Sequence, residues 1–314
     1  MEGAESERQL KKITQNKVLR TIFFGNYFYG FCAVALSLEA VLQQQVPSPD
    51  FFFYLMAFCA TVLFYSRAYL VTEKGASPRH IRSAWYGRNR KAINRSQLIL
   101  AMFLALLVLR FIFLHWQTLL DLSGSTYALL LLFPSIAILY YGIRWRGRSY
   151  QLRHIGWLKP LIIGLSWAGL VTVYPLLYQR ISSGEQFTPG LTNMYFFLKN
   201  LMYITLLCIL FDIKDYAMDY NQQLKTVVVR LGLRRTMFLI IIPLALLGFG
   251  AFLIYAVTRD FSIMRILVNS IPFASIVIAT YAMTNLRSIF FYLMVIDGLM
   301  LVEALCGILG VLCF

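Results

Sequence analysis

Three aspartates close together in the chain are the residues best placed to do chemistry. Asp212, Asp215 and Asp219 lie in the segment FDIKDYAMDYNQQLKTVVVRLG. At about 100° per residue of an α-helix they fall within about 60° of one another, so they project from one face within two turns. Like charges at this spacing repel one another unless a cation lies between them. Oxygen ligands without histidine or cysteine suit a hard ion such as Mg²⁺, which completes its shell with water and substrate phosphate.

The same three acids also fit a solvated helix end at the membrane interface. Lys214, Lys225 and Arg230 lie close by in the sequence and supply neutralising positive charge. Spacing alone gives equal weight to this interpretation and to a metal site.

A second set of acids lies inside apolar stretches. An ionisable side chain near the middle of a membrane costs about 2.5–3.5 kcal/mol on insertion scales, so Glu39, Asp297 and Glu303 are expected to face the protein interior. Asp297 and Glu303 are separated by about 240° around one helix and do not form a single pair. They permit a proton or ion path, or they are simply the partners of Lys199 and Arg110.

The composition indicates that membrane-spanning helices position these groups. Of the 314 residues 59% are hydrophobic and 14% are charged, and the mean hydropathy is +0.67, which excludes an ordinary soluble domain. Since a helix needs about 20 apolar residues to cross the hydrocarbon layer, the sequence predicts an all-α fold with nine spans in one domain, 21–314, after a polar tail, 1–20. The predicted spans are 20–43, 51–71, 97–117, 126–145, 157–179, 193–211, 236–257, 264–285 and 288–313.

The basic residues predict the orientation of the chain. The sequence has 29 Lys and Arg against 14 Asp and Glu. With these spans, 23 of the 29 lie on the side of the N-terminus, mostly in the tail and in loops 72–96, 144–159 and 212–236, and 3 lie on the other side. Positive charge marks the cytoplasmic side, so the N-terminus is predicted to be cytoplasmic and the C-terminus to lie opposite. Membrane topology thus accounts for the basic excess, and no nucleic-acid partner is expected.

The aspartate segment resembles a motif of a known family. The string D-I-K-D-x-x-x-D followed by K-T-V-V-V-R-L-G is similar to the second aspartate motif of the UbiA-type intramembrane prenyltransferases. The chain matches that motif at Asp212, Asp215, Asp219, Thr226 and Gly232, and it has Gln223 where the family usually has glycine. Nine spans, a cytoplasmic N-terminus and a motif between spans six and seven agree with the resemblance.

The resemblance implies a helical bundle that transfers a prenyl group from a polyprenyl diphosphate to a lipophilic, often aromatic, acceptor. It implies Mg²⁺ bound by Asp212 and Asp215, with Asp219 as an additional or supporting ligand. Lys225 or Arg230 would then contact the diphosphate. Metal ions offset charge on a leaving group, and an apolar chamber shields a cation from water.

One part of the family pattern is absent. The first aspartate motif should follow span two, yet no aspartate occurs from Phe51 to Leu120. Two outcomes stay open. In the first, arginine side chains bind the diphosphate directly and their guanidinium groups replace the charge of the metal; the candidates are Arg67 and the group Arg79, Arg82, Arg88 and Arg90. Alternatively, the chain is a non-catalytic relative that binds an isoprenoid or a partner protein, and a membrane transporter is the third hypothesis.

Overall fold

The chain folds into two compact helical units. The computed structural model describes residues 16–71, 81–145, 148–150, 155–221, 226–283 and 291–314. The first unit comprises the described residues of Met1–Val34 and Asp50–Gln117, and the second those of Ala35–Pro49 and Thr118–Phe314.

Almost all of the described secondary structure is α-helical. The one hairpin among the described residues pairs β1 (Ile143–Trp145) with β2 (Arg148–Tyr150) in antiparallel register. In chain order the helices are α1 Lys17–Phe24, α2 Tyr27–Gln44, α3 Phe51–Val71, α4 Ile81–Arg88, α5 Arg90–Leu114, α6 Trp116–Leu120, α7 Gly124–Tyr141, α8 Lys159–Ala168, α9 Tyr174–Ser183, α10 Leu191–Asn221, α11 Val227–Leu231, α12 Leu233–Thr236, α13 Ile242–Thr258, α14 Ile263–Ala282 and α15 Gly298–Leu312.

Several of these helices have the length and apolar composition of membrane spans. In the described residues seven helical segments meet that standard: Arg90–Leu114, Gly124–Tyr141, Lys159–Ser183, Leu191–Ile213, Leu233–Thr258, Ile263–Ala282 and Tyr292–Leu312. Helices α1 and α2 meet that standard only if they are taken together as one span, which is bent by 64°. In α3 the apolar part is Phe51–Arg67, which is shorter than the helices that meet the standard. The all-helical membrane architecture is therefore compatible with a multi-pass integral membrane protein, whereas the count of nine spans stays a prediction.

In the first unit, a buried arginine caps the C-terminal end of α1. Arg82 on α4 is 4% exposed, and its guanidinium donates to the backbone oxygens of Phe23 and Phe24 at 3.2–3.3 Å and to the side-chain oxygen of Asn26. Asn26 has a positive φ of 65° at the break between α1 and α2. A cation that binds the last carbonyl groups of a helix satisfies acceptors left without intrahelical donors and offsets the helix dipole.

The amide of Asn26 extends this contact within the first unit. Its nitrogen donates to the hydroxyl groups of Ser66 at 3.1 Å and Tyr86 at 3.0 Å, and the Arg82 guanidinium lies 4.4 Å from the ring centroid of Tyr69. Burial raises the pKa of the Tyr86 hydroxyl above its ordinary value, so this group stays neutral. These contacts fix the bend between α1 and α2.

In the second unit, α10 is the central helix. It packs against α8 and α13, and α14 packs against α15. Gly164 permits a close approach of α8 to α10, because a Cβ at this position would lie 2.2 Å from the hydroxyl oxygen of Thr205. Small residues at helix contacts are typical of membrane bundles, where close packing replaces the hydrophobic driving force between helices.

In the part of the second unit that the structure describes, three spans contain a π-helical turn, at Gly169–Val173, Met237–Ile241 and Tyr292–Ile296. The first two immediately precede helices that carry Pro175 and Pro243 in their first turn. A proline ring clashes with the carbonyl group four residues before it, and a widened turn relieves the clash. The third turn contains no proline, and the Asp297 amide donates to the Tyr292 oxygen at 3.0 Å.

Candidate functional site

Helix α10 carries the predicted aspartate face without interruption. It runs from Leu191 to Asn221, so its 31 residues extend about 46 Å. The apolar part ends at Ile213, beside the first aspartate, and the rest of the helix continues for about 12 Å. Asp212, Asp215 and Asp219 therefore share one continuous helix, as predicted, and they begin where its apolar span ends.

Asp212 is buried and pairs with a lysine that the sequence analysis did not assign to the site. Its side chain is 3% exposed, and its Oδ1 accepts a hydrogen bond of 2.6 Å from Nζ of Lys159. Lys159 is the first residue of α8, and its side chain is 31% exposed. The sequence offered Lys159 only as one basic residue of the loop 144–159. The packing of α8 on α10 is what selects it as the partner.

Several predicted site residues lie outside this description. The side chains of Asp215 and Asp219 are not in the described part of α10, and Lys225 and Arg79 fall outside the described residues altogether. Among the residues that the structure describes, no three His, Cys, Asp or Glu side chains converge on a point where they could hold a metal ion. The predicted metal ligation by Asp212, Asp215 and Asp219 thus stays a prediction.

Two other motif residues have clear structural roles. Thr226 precedes α11 and its hydroxyl oxygen accepts a hydrogen bond of 3.3 Å from the Val229 amide, which makes it the N-cap of that helix. Gly232 separates α11 from α12 with φ 79° and ψ 158°, a backbone conformation that is essentially restricted to glycine. This part of the motif is thus read as a short capped helix and a glycine turn.

The predicted arginines differ in their availability. Arg230 lies on α11 and is exposed, and Arg67 is exposed on α3. Arg67 belongs to the first unit, whereas Asp212 belongs to the second. Arg82 is engaged by backbone oxygens at the end of α1, so the suggestion that it grips a diphosphate is replaced by a structural role. Arg88 and Arg90 are exposed.

A second polar cluster lies within the apolar part of the second unit. Nζ of Lys199 on α10 is 3.1 Å from Oε1 of Glu39 on α2 and 3.0 Å from Oε1 of Glu303 on α15. All three side chains are at most 4% exposed. Lys199 also lies 4.5 Å from the ring centroid of Phe196, a position that favours a positive charge. This group is called the Glu39–Lys199–Glu303 cluster below.

The cluster confirms that Lys199 is the partner of intramembrane acids. The other candidate, Arg110, instead pairs with Asp50 at 3.7 Å, and both of those side chains are partly exposed. The sequence could not show that Glu39 and Glu303, which are separated by 264 positions, share one lysine. No spacing rule connects residues on α2, α10 and α15, and only the packing of these helices brings them together.

Comparison with known proteins adds no assignment. No protein-family model matches the chain, and neither a curated protein nor a solved structure is significantly similar to it.

Proposed function

We propose that the protein is an intramembrane prenyltransferase of the UbiA type, which moves a prenyl group from an allylic polyprenyl diphosphate to a lipophilic acceptor. The Asp212 end of the second unit, defined by Asp212 and Lys159, faces the cytoplasm in this proposal. The N-terminus lies on the same side and the C-terminus on the opposite side, as the distribution of Lys and Arg predicts.

The position of Asp212 is the observation that supports this proposal. A buried carboxylate at the end of an apolar helical span, paired to a lysine at 2.6 Å, is suited to charge chemistry at the membrane boundary. Asp215 and Asp219 follow within two turns of the same helix, and the capping Thr226 and the turn at Gly232 come next in the order of the motif.

The donor chemistry of this end fits Mg²⁺ and a diphosphate. Asp212 and Asp215 would hold Mg²⁺ with Asp219 in support, because carboxylate oxygens are the ligands that this ion prefers. When bound, the metal offsets the negative charge that develops on the departing diphosphate.

Basic side chains have the complementary role toward the substrate. Lys159 holds the Asp212 carboxylate in place, and its partly exposed side chain would also serve an anion bound beside that carboxylate. Lys225 or Arg230 contacts the diphosphate in this proposal. The apolar spans supply the surroundings in which the prenyl chain is shielded from water.

Turnover of a labelled substrate tests this function. Protein in lipid nanodiscs is incubated with Mg²⁺, a radiolabelled prenyl diphosphate and a lipid extract as the source of acceptor, and the products are separated by chromatography. Asp212→Asn and Asp215→Asn are each expected to abolish the labelled product. Asp260→Asn is the matched control, because Asp260 is exposed in the turn between α13 and α14. Formation of product by both motif variants at the wild-type rate would refute the proposal.

The absence of aspartate from Phe51 to Leu120 favours a second candidate, a non-catalytic relative that binds an isoprenoid. In this case the labelled prenyl diphosphate is retained by the nanodiscs, is not converted, and is bound equally well by the wild type and by Asp215→Asn. The two candidates are therefore distinguished by turnover in the same samples in which retention is measured.

A further inference from the structure

The Glu39–Lys199–Glu303 cluster contains more acid than base. Two carboxyl groups contact a single ammonium group, and the side-chain exposures are 0% for Glu39, 3% for Glu303 and 4% for Lys199. If both acids were ionised, the cluster would have a net negative charge in a medium of low dielectric constant. Removing an uncompensated charge from water costs several kcal/mol, and a buried acid avoids that cost by binding a proton.

The hydrogen bonds of the two carboxyl groups also indicate an additional ligand. Among the groups that the structure describes, none donates a hydrogen bond to Oε2 of Glu39 or to Oε2 of Glu303. An ionised carboxylate in the protein interior is normally satisfied by several donors, whereas a protonated one carries its own donor and needs fewer. Each glutamate thus presents one oxygen to Lys199 and keeps a second at which a proton can bind.

The other ionisable groups near the two glutamates leave this charge balance unchanged. Tyr203 on α10, Tyr255 on α13 and Cys306 on α15 interact with them electrostatically, and these groups are neutral at ordinary pH. Arg265 on α14 is directed elsewhere, because its guanidinium donates to Oε1 of Gln43 at 2.7 Å. Lys199 is therefore the cation that contacts the carboxyl groups.

Polar side chains lie between the cluster and one end of the second unit. Gln43 lies one turn beyond Glu39 on α2, and its amide donates to Asn269 at 2.8 Å and to the Gly307 oxygen at 3.1 Å. Gly307 lies directly against Glu39, since a Cβ there would be 2.3 Å from Cγ of that glutamate.

The polar group at that end of the unit is called the Gln44 end. There, Asn193 donates to the Gln44 side chain at 2.7 Å and Arg259 to its backbone oxygen at 2.6 Å. Measured along the helices at about 1.5 Å per residue, the cluster lies about 8 to 14 Å inside this end. With a hydrocarbon layer of about 30 Å, that depth is well inside the membrane.

We propose that the Glu39–Lys199–Glu303 cluster is a proton-binding site within the membrane, at which the two carboxyl groups share one proton while Lys199 stays charged. Water that enters from the Gln44 end supplies the proton and takes it back when the site empties. An O–H bond to a carboxyl oxygen forms as a hydronium ion becomes water, and no other reactant is needed. The cluster binds and releases its proton separately from the chemistry proposed at the Asp212 end.

Infrared spectroscopy of protein in lipid nanodiscs tests how many carboxyl groups of the cluster are protonated. The carbonyl stretch of a protonated carboxyl group is recorded at neutral pH, and the spectrum of each variant is subtracted from that of the wild type. Glu39→Gln and Glu303→Gln are each expected to remove one protonated-acid band, because the remaining glutamate then forms a balanced pair with Lys199. Lys199→Met is expected to raise the amplitude of this band to twice the wild-type value, because both acids must then be neutral.

Two control variants separate this result from other acids. Glu185→Gln changes an exposed glutamate paired with Arg180 and should leave the band unchanged. Asp212→Asn should leave the band in place while it abolishes prenyl transfer, so failure of the proton site and failure of the proposed function are distinguishable. A band that survives both Glu39→Gln and Glu303→Gln overturns the proposal. Loss of the wild-type band when sodium replaces a bulky organic cation also overturns it, in favour of a metal-cation site.

Hydrogen exchange tests how water reaches the cluster. After transfer into D₂O, the shift of the carboxyl band reports how fast the shared proton is replaced. Gln43→Leu should keep the band and slow its shift, because an apolar side chain beside the cluster disfavours the entry of water, and the elution of the variant in size-exclusion chromatography verifies its fold. Exchange as fast as in the wild type would refute entry of water past Gln43.

Discussion

Lys199→Met isolates the energetic role of the buried lysine. The substitution keeps a long apolar side chain but removes the ammonium group that contacts Glu39 and Glu303 at 3.1 and 3.0 Å. Removing one partner of a buried ion pair costs about 3–5 kcal/mol, because the remaining acid has no compensating charge and must take up a proton to stay buried. Because two carboxyl groups depend on Lys199, we expect a loss of stability in this range at neutral pH.

Lys159→Met is the matched control for this change. It removes the other lysine that pairs with a buried acid, Asp212, at 2.6 Å, but the Lys159 side chain is 31% exposed against 4% for Lys199. Water can reach the Lys159 site and replace part of the lost interaction, so we expect a cost of at most about 2 kcal/mol.

Thermal unfolding in nanodiscs, followed by the reaction of buried cysteines with a thiol-specific dye, measures both variants. Cys32, Cys59 and Cys306 are buried and become reactive when their surroundings unfold. For a chain of this size, Lys199→Met should lower the unfolding midpoint by roughly 5–8 °C and Lys159→Met by at most about 3 °C.

The pH dependence provides an independent check on the mechanism. Folded Lys199→Met requires both glutamates to hold protons, whereas the unfolded chain releases them at ordinary pH. The folded state thus binds more protons, so stability is present at low pH and falls as the pH rises. The deficit relative to the wild type should therefore grow as the pH rises above about 4.3, the ordinary pKa of a glutamate. A deficit equal to that of Lys159→Met, or one that is constant with pH, would refute the charge argument.

Two further substitutions test close contacts in each unit. Gly307→Ala places a Cβ 2.3 Å from Cγ of Glu39 and should cost about 1–3 kcal/mol in thermal unfolding, whereas Gly250→Ala, which has nothing within 4 Å, should be neutral or slightly stabilising. Equal midpoints for the two variants would contradict the close approach. Arg82→Met removes the donor to the carbonyl groups at the end of α1 and should cost about 2–4 kcal/mol, with the exposed Arg88→Met as the control. Protection of the α1 amides from hydrogen exchange should fall in Arg82→Met, and unchanged protection would disprove the capping role.

Local sequence rules predicted the features that depend on neighbours along the chain. The apolar runs predicted helical spans at 97–117 and 193–211, because a helix satisfies its own backbone hydrogen bonds in lipid, and the structure has helices there at Arg90–Leu114 and Leu191–Asn221. The spacing of the aspartates predicted that they share one continuous helix. The boundary of α1 and α2 escaped prediction, because the bend at Asn26 depends on Arg82, which is 56 residues away.

What the sequence determined by itself is thus an all-helical chain, its apolar segments, and the unusual presence of acids within them, since burial in lipid makes such residues costly. Only the tertiary structure decided which base each acid meets. In the structure Lys159 pairs with Asp212, and Lys199 pairs with both Glu39 and Glu303. The physical reason is that an ion pair between helices depends on packing over tens to hundreds of intervening residues, whereas the helical repeat relates only residues within a few turns.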